Sequence, residues 1–140
     1  MKVAGIHHVL LRSQDPEVAR RFYQEVVGLE FMEIPVSGEV TSIWQGAPAE
    51  GVLLAAQVGT TLLVIMPPLE GTPGDDRFSE YRIGLDHLAF GFEDRADLDA
   101  LVERLVTAGV ETKGVETDVV GKEYVVFRDP DNVQCEAYMT

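Results

Sequence analysis

GIHHVLL, residues 5–11, and GLDHLAF, residues 84–90, are two versions of one short segment, and they decide how the chain is organised. Each begins with glycine and carries a histidine at its fourth position, so that His8 and His87 are equivalent in the two copies. The chain contains only 3 histidines in 140 residues. Because so rare a residue recurs at the equivalent point of a repeat, we predict that the two imidazoles share one site.

The repeat continues beyond the histidines. Asp15 and Asp94 follow at the same interval, and each precedes apolar residues at helical spacing. Gly28 and Gly109 then end the two helical stretches. Aspartate is a preferred N-cap, and glycine is the commonest residue just after a helix. Alternating or apolar β-rich runs predict strands at 6–11, 31–35, 40–45, 52–58 and 61–66 in the first copy, and at 85–92, 124–127 and 133–138 in the second.

In each copy a strand and a helix are followed by about three strands, and this order predicts an α+β fold built from two strand–helix–strand–strand–strand (βαβββ) modules in one domain, residues 1–140. The first module covers residues 1–66 and the second covers residues 84–140. The intervening residues 67–83 are rich in proline, glycine and charge and are interpreted as a linker. Each module alone is too small to bury enough surface for high stability, so we expect the two to pair with each other or with a second chain.

Composition limits the partners and the compartment. There are 24 acidic and 11 basic residues, a formal net charge of −13, which disfavours nucleic acid and anionic membranes and suits a neutral or cationic small molecule. Cys135 is the single cysteine, so no internal disulfide is expected. The first residues lack the apolar core of a signal peptide, and the apolar run 52–68 is interrupted by polar residues and glycine. We therefore expect a cytoplasmic protein.

Three side chains form a candidate metal site. Side chains alternate between the faces of a strand, so His8 shares a face with Leu10 and His87 shares one with Ala89. Glu136 lies in the mainly apolar last strand, where a carboxylate is costly unless it is paired or bound to a metal. Two imidazoles and a carboxylate leave open coordination positions and suit Fe(II), Mn, Co, Ni or Zn. The alternatives are histidines satisfied within a core and an unliganded Glu136.

The ordered motifs resemble the vicinal oxygen chelate superfamily, which includes glyoxalase I, extradiol dioxygenases, methylmalonyl-CoA epimerase and the fosfomycin- and bleomycin-resistance proteins. The matching segments are GIHHVLL followed by FYQEVVGLEF (22–31), GLDHLAF followed by the second helix, and VVFRDPDNVQCEAYM (125–139). The resemblance implies paired βαβββ modules that form a cupped mixed sheet around a divalent metal. It also implies substrates that chelate the metal through neighbouring oxygens.

The family's ligand positions correspond here to His8, His87 and Glu136. A fourth position, used by some members, falls on Val64, which cannot ligate. The remaining three-ligand set is similar to those of extradiol dioxygenases and fosfomycin-resistance transferases. The chain departs from both groups, since Tyr124 stands two residues from the position of the dioxygenase tyrosine, the second module has no spare histidine, and no basic cluster for an anion is evident.

Two functions follow as hypotheses. The first is a metal-dependent lyase, isomerase or dioxygenase in which Glu136 and Tyr124 serve catalysis. The second is a protein similar to the bleomycin-resistance members, which sequesters a small molecule or antibiotic without chemistry. A degenerate module that serves only in oligomerisation is a third, weaker possibility. A homodimer is expected because cups of this family are assembled from two modules and because unpaired sheet edges invite a partner.

Further residues are assigned on weaker grounds, and some have two interpretations. Aromatic side chains on the strands either line a substrate pocket or belong to the core; the residues concerned are Trp44, Phe90, Phe92 and Tyr124. His7 is interpreted as structural or solvent-facing, and Arg128 as an anchor for nearby carboxylates. The linker either is a solvated connector or closes over the site as a lid through Arg77, Phe78, Tyr81 and Arg82.

Overall fold

The computed structural model describes residues 1–36 and 51–140, which group into two compact units. The first unit comprises Met1–Gln24 and Gly28–Asp76, and the second comprises Glu25–Val27 and Arg77–Thr140. The predicted strand at 40–45, and Trp44 within it, lie outside the described residues. Among the described helices, none has both the length and the apolar character that a membrane span requires.

The first unit contains a four-stranded mixed sheet. Its elements are β1 (His8–Arg12), α1 (Pro16–Phe22), β2 (Phe31–Val36), β3 (Gly51–Val58) and β4 (Thr61–Met66). A π-helical turn (Tyr23–Val27) follows α1, and its last three residues are grouped with the second unit. The strand order is β1-β4-β3-β2, with β1 parallel to β4 and the other neighbours antiparallel. The helix begins as predicted, because the Asp15 carboxylate accepts hydrogen bonds from the backbone N–H groups of Glu17 and Val18, each at 3.1 Å. Gly28 caps the helical segment with a left-handed φ of 91°.

The second unit repeats this arrangement. Its elements are β5 (Leu88–Phe92), α2 (Arg95–Thr107), β6 (Glu116–Thr117), β7 (Glu123–Arg128) and β8 (Gln134–Met139). The strand order is β5-β8-β7-β6, with β5 parallel to β8. The Asp94 side chain caps α2 by accepting from the N–H of Ala96 at 2.8 Å. The predicted α+β class and the βαβββ order are thus confirmed in both units, and β6 is a strand that sequence patterning did not identify.

The two faces of the second sheet differ in burial. Helix α2 packs against β5, β7 and β8, and its Leu98, Leu101 and Leu105 are fully buried. The sheet supplies buried side chains from alternate positions: Phe90, Val125, Phe127, Cys135 and Ala137. The intervening positions form the other face, where Glu136 is half-buried and Ala89 is exposed. Because side chains alternate along each strand, the core and the candidate site lie on opposite faces of one sheet.

A short turn fixes how β7 and β8 pair. The buried carboxylate of Asp129 accepts hydrogen bonds from the backbone N–H groups of Asp131 (2.9 Å) and Val133 (2.7 Å). Asn132 takes a left-handed conformation with φ of 71°, which asparagine tolerates better than most residues. Residues 129–132 therefore form a tight turn between the two strands. It sets the register in which Val126 lies opposite Glu136.

Candidate functional site

His87 and Glu136 meet on the open face of the second sheet. Ala89 is the strand partner of Glu136, and His87, two residues before Ala89, lies just ahead of β5 on the same face. The Nε2 atom of His87 is 3.6 Å from Oε2 of Glu136, although the two residues come from opposite ends of the second unit's sequence. The His87 side chain is 37% exposed and that of Glu136 is 16% exposed, so both reach the surface from a partly desolvated position.

The second nitrogen of the His87 ring has its own partner. Nδ1 lies 2.6 Å from Oδ1 of Asp86, the preceding residue. An ionised carboxylate can only accept hydrogen bonds, so in that state Nδ1 carries the proton that is shared with Asp86. Nε2 is then the nitrogen directed to Glu136.

His8 occupies the corresponding place in the first unit. It is the first residue of β1, and Leu62 in β4 is its strand partner. The centre of the sheet face that it shares is apolar, since it carries a cluster made of Leu53, Ala55, Val64 and Met66 with Leu10 and Leu62 packed against it, while Arg12 and Gln57 lie towards its ends. The Nδ1 atom of His8 lies 3.0 Å from Nδ1 of His7. His7, predicted to be structural or solvent-facing, is exposed and contacts its neighbour through the ring.

The pair in the second unit fits a divalent metal chemically. Imidazole nitrogen and carboxylate oxygen bind such ions at about 2.0–2.2 Å, and the sum of two such bonds exceeds the 3.6 Å between Nε2 of His87 and Oε2 of Glu136, so one ion can contact both atoms. Within either unit, the described residues do not gather three His, Cys, Asp or Glu side chains in a metal-binding group. A complete site of this kind therefore needs a ligand beyond His87 and Glu136.

Two tyrosines extend the face that bears Glu136. Tyr124 and Tyr138 are strand partners, and their rings stack with centroids 5.1 Å apart and an interplanar angle of 13°. The Tyr138 hydroxyl donates to Oδ2 of Asp118 at 3.0 Å. Burial raises the pKa of Tyr138, and the hydrogen bond to Asp118 raises it further. Tyr124 thus lies on the face of Glu136, two positions along β7 from Val126, the residue directly opposite that carboxylate.

The remaining predicted pocket residues fall elsewhere. Ala89 lies on the face of Glu136, and Phe90 and Phe92 occupy the alternate positions of β5. Both rings therefore point to the other side of the sheet, on which α2 packs. Phe90 is buried there. The structure therefore does not bring these two rings together with His87 and Glu136.

The linker residues contact the β7–β8 turn. The guanidinium of Arg128 donates to both carboxylate oxygens of Glu80, at 2.6 and 3.0 Å, which agrees with the prediction that Arg128 anchors a local carboxylate. The backbone of Phe78 also hydrogen-bonds to Asp131 and Asn132. Tyr81, in contrast, is almost fully exposed. Phe78 and Glu80 thus hold the linker against the β7–β8 turn. The sequence did not indicate Glu80, because a carboxylate in a linker has no distinguishing pattern.

A family model described as the Glyoxalase/Bleomycin resistance protein/Dioxygenase superfamily matches residues 5–137. Solved structures agree with that match. A glyoxylase/bleomycin resistance protein/dioxygenase domain from Frankia sp. EAN1pec is 29% identical, with a TM-score of 0.78, over 99% of this chain and 93% of that one.

Two more distant structures share the fold. A lactoylglutathione lyase from Agrobacterium tumefaciens is 21% identical, with a TM-score of 0.65, over 99% of this chain and 96% of that one. An antibiotic-binding protein from a Streptomyces species is 19% identical, with a TM-score of 0.65, over 99% of this chain and 98% of that one. Proteins of this fold therefore include both an enzyme and a binding protein.

Proposed function

Because this chain belongs to the Glyoxalase/Bleomycin resistance protein/Dioxygenase superfamily, we propose that it is a divalent-metal-dependent enzyme acting on a small substrate that chelates the metal through two neighbouring oxygens. The observation that carries this proposal is the approach of His87 and Glu136 to 3.6 Å on the open face of the second sheet. A structural histidine whose Nδ1 already contacts Asp86 has no need of the half-buried carboxylate of Glu136 near Nε2, whereas a metal site uses both the imidazole and that carboxylate.

His87, Glu136 and His8 are the proposed ligands. The case for His8 comes from the repeat, in which it is the counterpart of His87 and stands at the first position of the equivalent strand. A divalent ion held by these groups polarises a carbonyl oxygen and stabilises negative charge that develops beside it. Iron(II), manganese, cobalt, nickel and zinc all suit a set of two imidazoles and one carboxylate.

The protein's own groups then position the substrate and move its protons. Tyr124 shares the face of Glu136 and has a phenol that can exchange a proton with a substrate oxygen, so we assign it to proton transfer. Glu136 is both a ligand of the proposed metal and a source of negative charge in the site. The stacked rings of Tyr124 and Tyr138 provide a flat apolar wall beside the polar centre.

Metal content tests the proposal directly. The protein is purified, stripped with a chelator and titrated with Zn(II), Mn(II) and anaerobic Fe(II) under calorimetry. We expect one ion per site in the wild type and a loss of at least about 100-fold in affinity in His87→Ala, Glu136→Gln and His8→Ala, since removing a ligand costs more than removing its supporting contact. Glu93→Gln removes an exposed carboxylate just after β5 and serves as the matched control. A wild type that binds none of these ions more tightly than Glu136→Gln overturns the proposal.

Sequestration without chemistry is the second candidate, and the stacked tyrosine pair is the observation that favours it. A flat aromatic surface next to acidic groups, in a chain of net charge −13, suits a cationic aromatic compound. The distinguishing measurement is binding of such a compound by metal-free protein. Tight binding that Tyr138→Ala abolishes and His87→Ala leaves unchanged assigns the face to sequestration. Binding that requires the metal assigns it to the enzyme.

A further inference from the structure

The side chain of Asp86 has no role in the ligand set proposed above, yet it makes the shortest polar contact of the site. Its Oδ1 lies 2.6 Å from Nδ1 of His87. The Asp86 side chain is 67% exposed, so this contact adds little to the stability of the fold, as expected for a polar contact between surface side chains. What the contact does control is the ring itself, because it determines which nitrogen carries the proton and which way the ring turns.

We infer that Asp86 is the positioning residue of the site, and that it holds His87 in the tautomer whose Nε2 lone pair faces Glu136. The inference rests on the proposed metal-dependent function. The carboxylate accepts from Nδ1–H, which leaves Nε2 without a proton in the neutral ring. Nε2 is also the atom 3.6 Å from Oε2 of Glu136, so the ligand atom and the carboxylate are aligned before any ion arrives. A carboxylate behind a ligating imidazole raises the basicity of the ligand and fixes its orientation.

The first unit has a polar contact at the same ring atom, made by a different residue. His7 is the counterpart of Asp86 in the repeat, since each directly precedes the shared histidine, and its ring lies 3.0 Å from Nδ1 of His8. In both halves the preceding side chain therefore engages Nδ1 of the repeated histidine. Two independent segments share this feature, although the residue type differs, imidazole in one and carboxylate in the other. The shared atom is the reason to assign the contact to ring orientation rather than to a local accident of packing.

The first measurement needs no metal. Long-range proton–nitrogen NMR of the metal-free protein distinguishes Nδ1–H rings from Nε2–H rings, and both from the doubly protonated ring. We expect the Nδ1–H form for His87 in the wild type and in Asp86→Asn, whose amide oxygen also accepts from Nδ1. In Asp86→Ala the Nδ1–H fraction falls. The signals of His8, which contacts His7 instead, stay unchanged in all three proteins and serve as the internal control.

The second measurement is the affinity for Zn(II), determined by calorimetry for the same three proteins. We expect Asp86→Ala to weaken binding about 10- to 100-fold, as loss of an outer contact of this type does. Asp86→Asn should stay within a few-fold of the wild type, and the melting temperature of the metal-free protein should not change in either variant.

The outcomes separate this inference from the proposed function. A wild type that binds zinc, with an Asp86→Ala variant of equal affinity and unchanged tautomer, overturns the positioning role and leaves the metal site standing. An Asp86→Ala protein whose melting temperature falls in parallel with its affinity also overturns it, since the role is then structural. A wild type that binds no zinc while its tautomer still depends on Asp86 overturns the proposed function instead.

Discussion

Val64 and Glu136 occupy the same position in the two halves of the chain. Val64 is the strand partner of Leu10, Glu136 is the partner of Ala89, and Leu10 and Ala89 each stand two positions after the repeated histidine. The second half thus has a carboxylate at this position, and the first half has the apolar side chain of valine. The valine is 4% exposed and belongs to an apolar cluster, so the repeat has kept its backbone register while the chemistry of this position has diverged.

This relationship predicts the behaviour of Val64→Glu. A carboxylate at so buried a position lacks its hydration, so the free energy of unfolding of the metal-free protein should fall by at least about 2 kcal/mol. If the position is equivalent to Glu136 in function as well as in register, Zn(II) should raise the melting temperature of the variant more than that of the wild type, because an added ligand tightens binding. Thermal melts with and without zinc check both parts. Val64→Gln is the control that keeps the size and removes the charge.

The pairing of Glu80 with Arg128 predicts an acid-sensitive contact. The hydrogen bonds from Arg128 lower the pKa of Glu80 from 4.5 to about 2. A carboxylate whose pKa is lower in the folded state stabilises the protein fully above pH 4.5 and loses that effect as the pH falls towards 2. We therefore expect Glu80→Gln to melt about 2 °C below the wild type near neutral pH, as for a surface pair in a chain of this size. The difference should shrink below pH 4.5 and vanish once the pH lies below about 2. Melting curves across that range test this, and a difference that persists at the lowest pH would contradict it.

Tyr124 and Tyr138 should differ in their effects on turnover. Tyr124→Phe removes a proton donor from the face of Glu136 and leaves the proposed ligands intact, so metal affinity should stay within about twofold while turnover falls by about 100-fold or more. Tyr138→Phe should have a smaller effect, because the Tyr138 hydroxyl is engaged by Asp118. Catechol with Fe(II) protein, and the hemithioacetal of methylglyoxal with Zn(II) protein, are the screening substrates. Equal turnover by Tyr124→Phe and the wild type would remove Tyr124 from the mechanism.

Self-association is also predicted. Strands β1 and β5 are edge strands of their sheets among the described residues, and edges of this kind pair readily with another chain. We expect sedimentation at micromolar concentration to give about twice the 15.4 kDa of one chain. A species with the mass of a single chain at that concentration would rule this out.

The fold was predictable where the sequence encodes local physical signals. Asp15 and Asp94 mark the helix starts because their side chains can satisfy the first free N–H groups, and the structure contains both caps. Strand β6 escaped notice because Glu116–Thr117 is a two-residue polar segment held only by its pairing with β7. Strands β1 and β5 begin two and three residues later than predicted. Just before β1, the carbonyl of Ile6 accepts a hydrogen bond from the side-chain hydroxyl of Thr61 and not from a backbone N–H of β4.

The approach of His87 to Glu136 could be anticipated from the sequence, because one residue recurs at the repeat interval and the other is a carboxylate in an apolar strand. Their role as metal ligands stays a prediction. Assigning Phe90 and Phe92 to the pocket relied on residue type alone. Counting positions from His87 would have placed both on the opposite face, since alternation sends even and odd positions to different sides. The contact of Asp86 with His87 was missed because it depends on a side-chain conformation, although the equivalent His7 was a usable signal.

The last strand, β8, contributes to both the hydrophobic core and the candidate site, so the two depend on the same register. Cys135 and Ala137 are fully buried against the helix side, while Glu136 between them faces the open side, and the Asp129 turn sets this alternation. A single-residue insertion or deletion between Asp129 and Gln134 would reverse the two faces, sending the carboxylate into the hydrophobic interior and the thiol into the solvent. In evolution this segment is therefore free to change its side chains but not its length, so descendants with new substrates should arise by substitution there and by loop growth elsewhere.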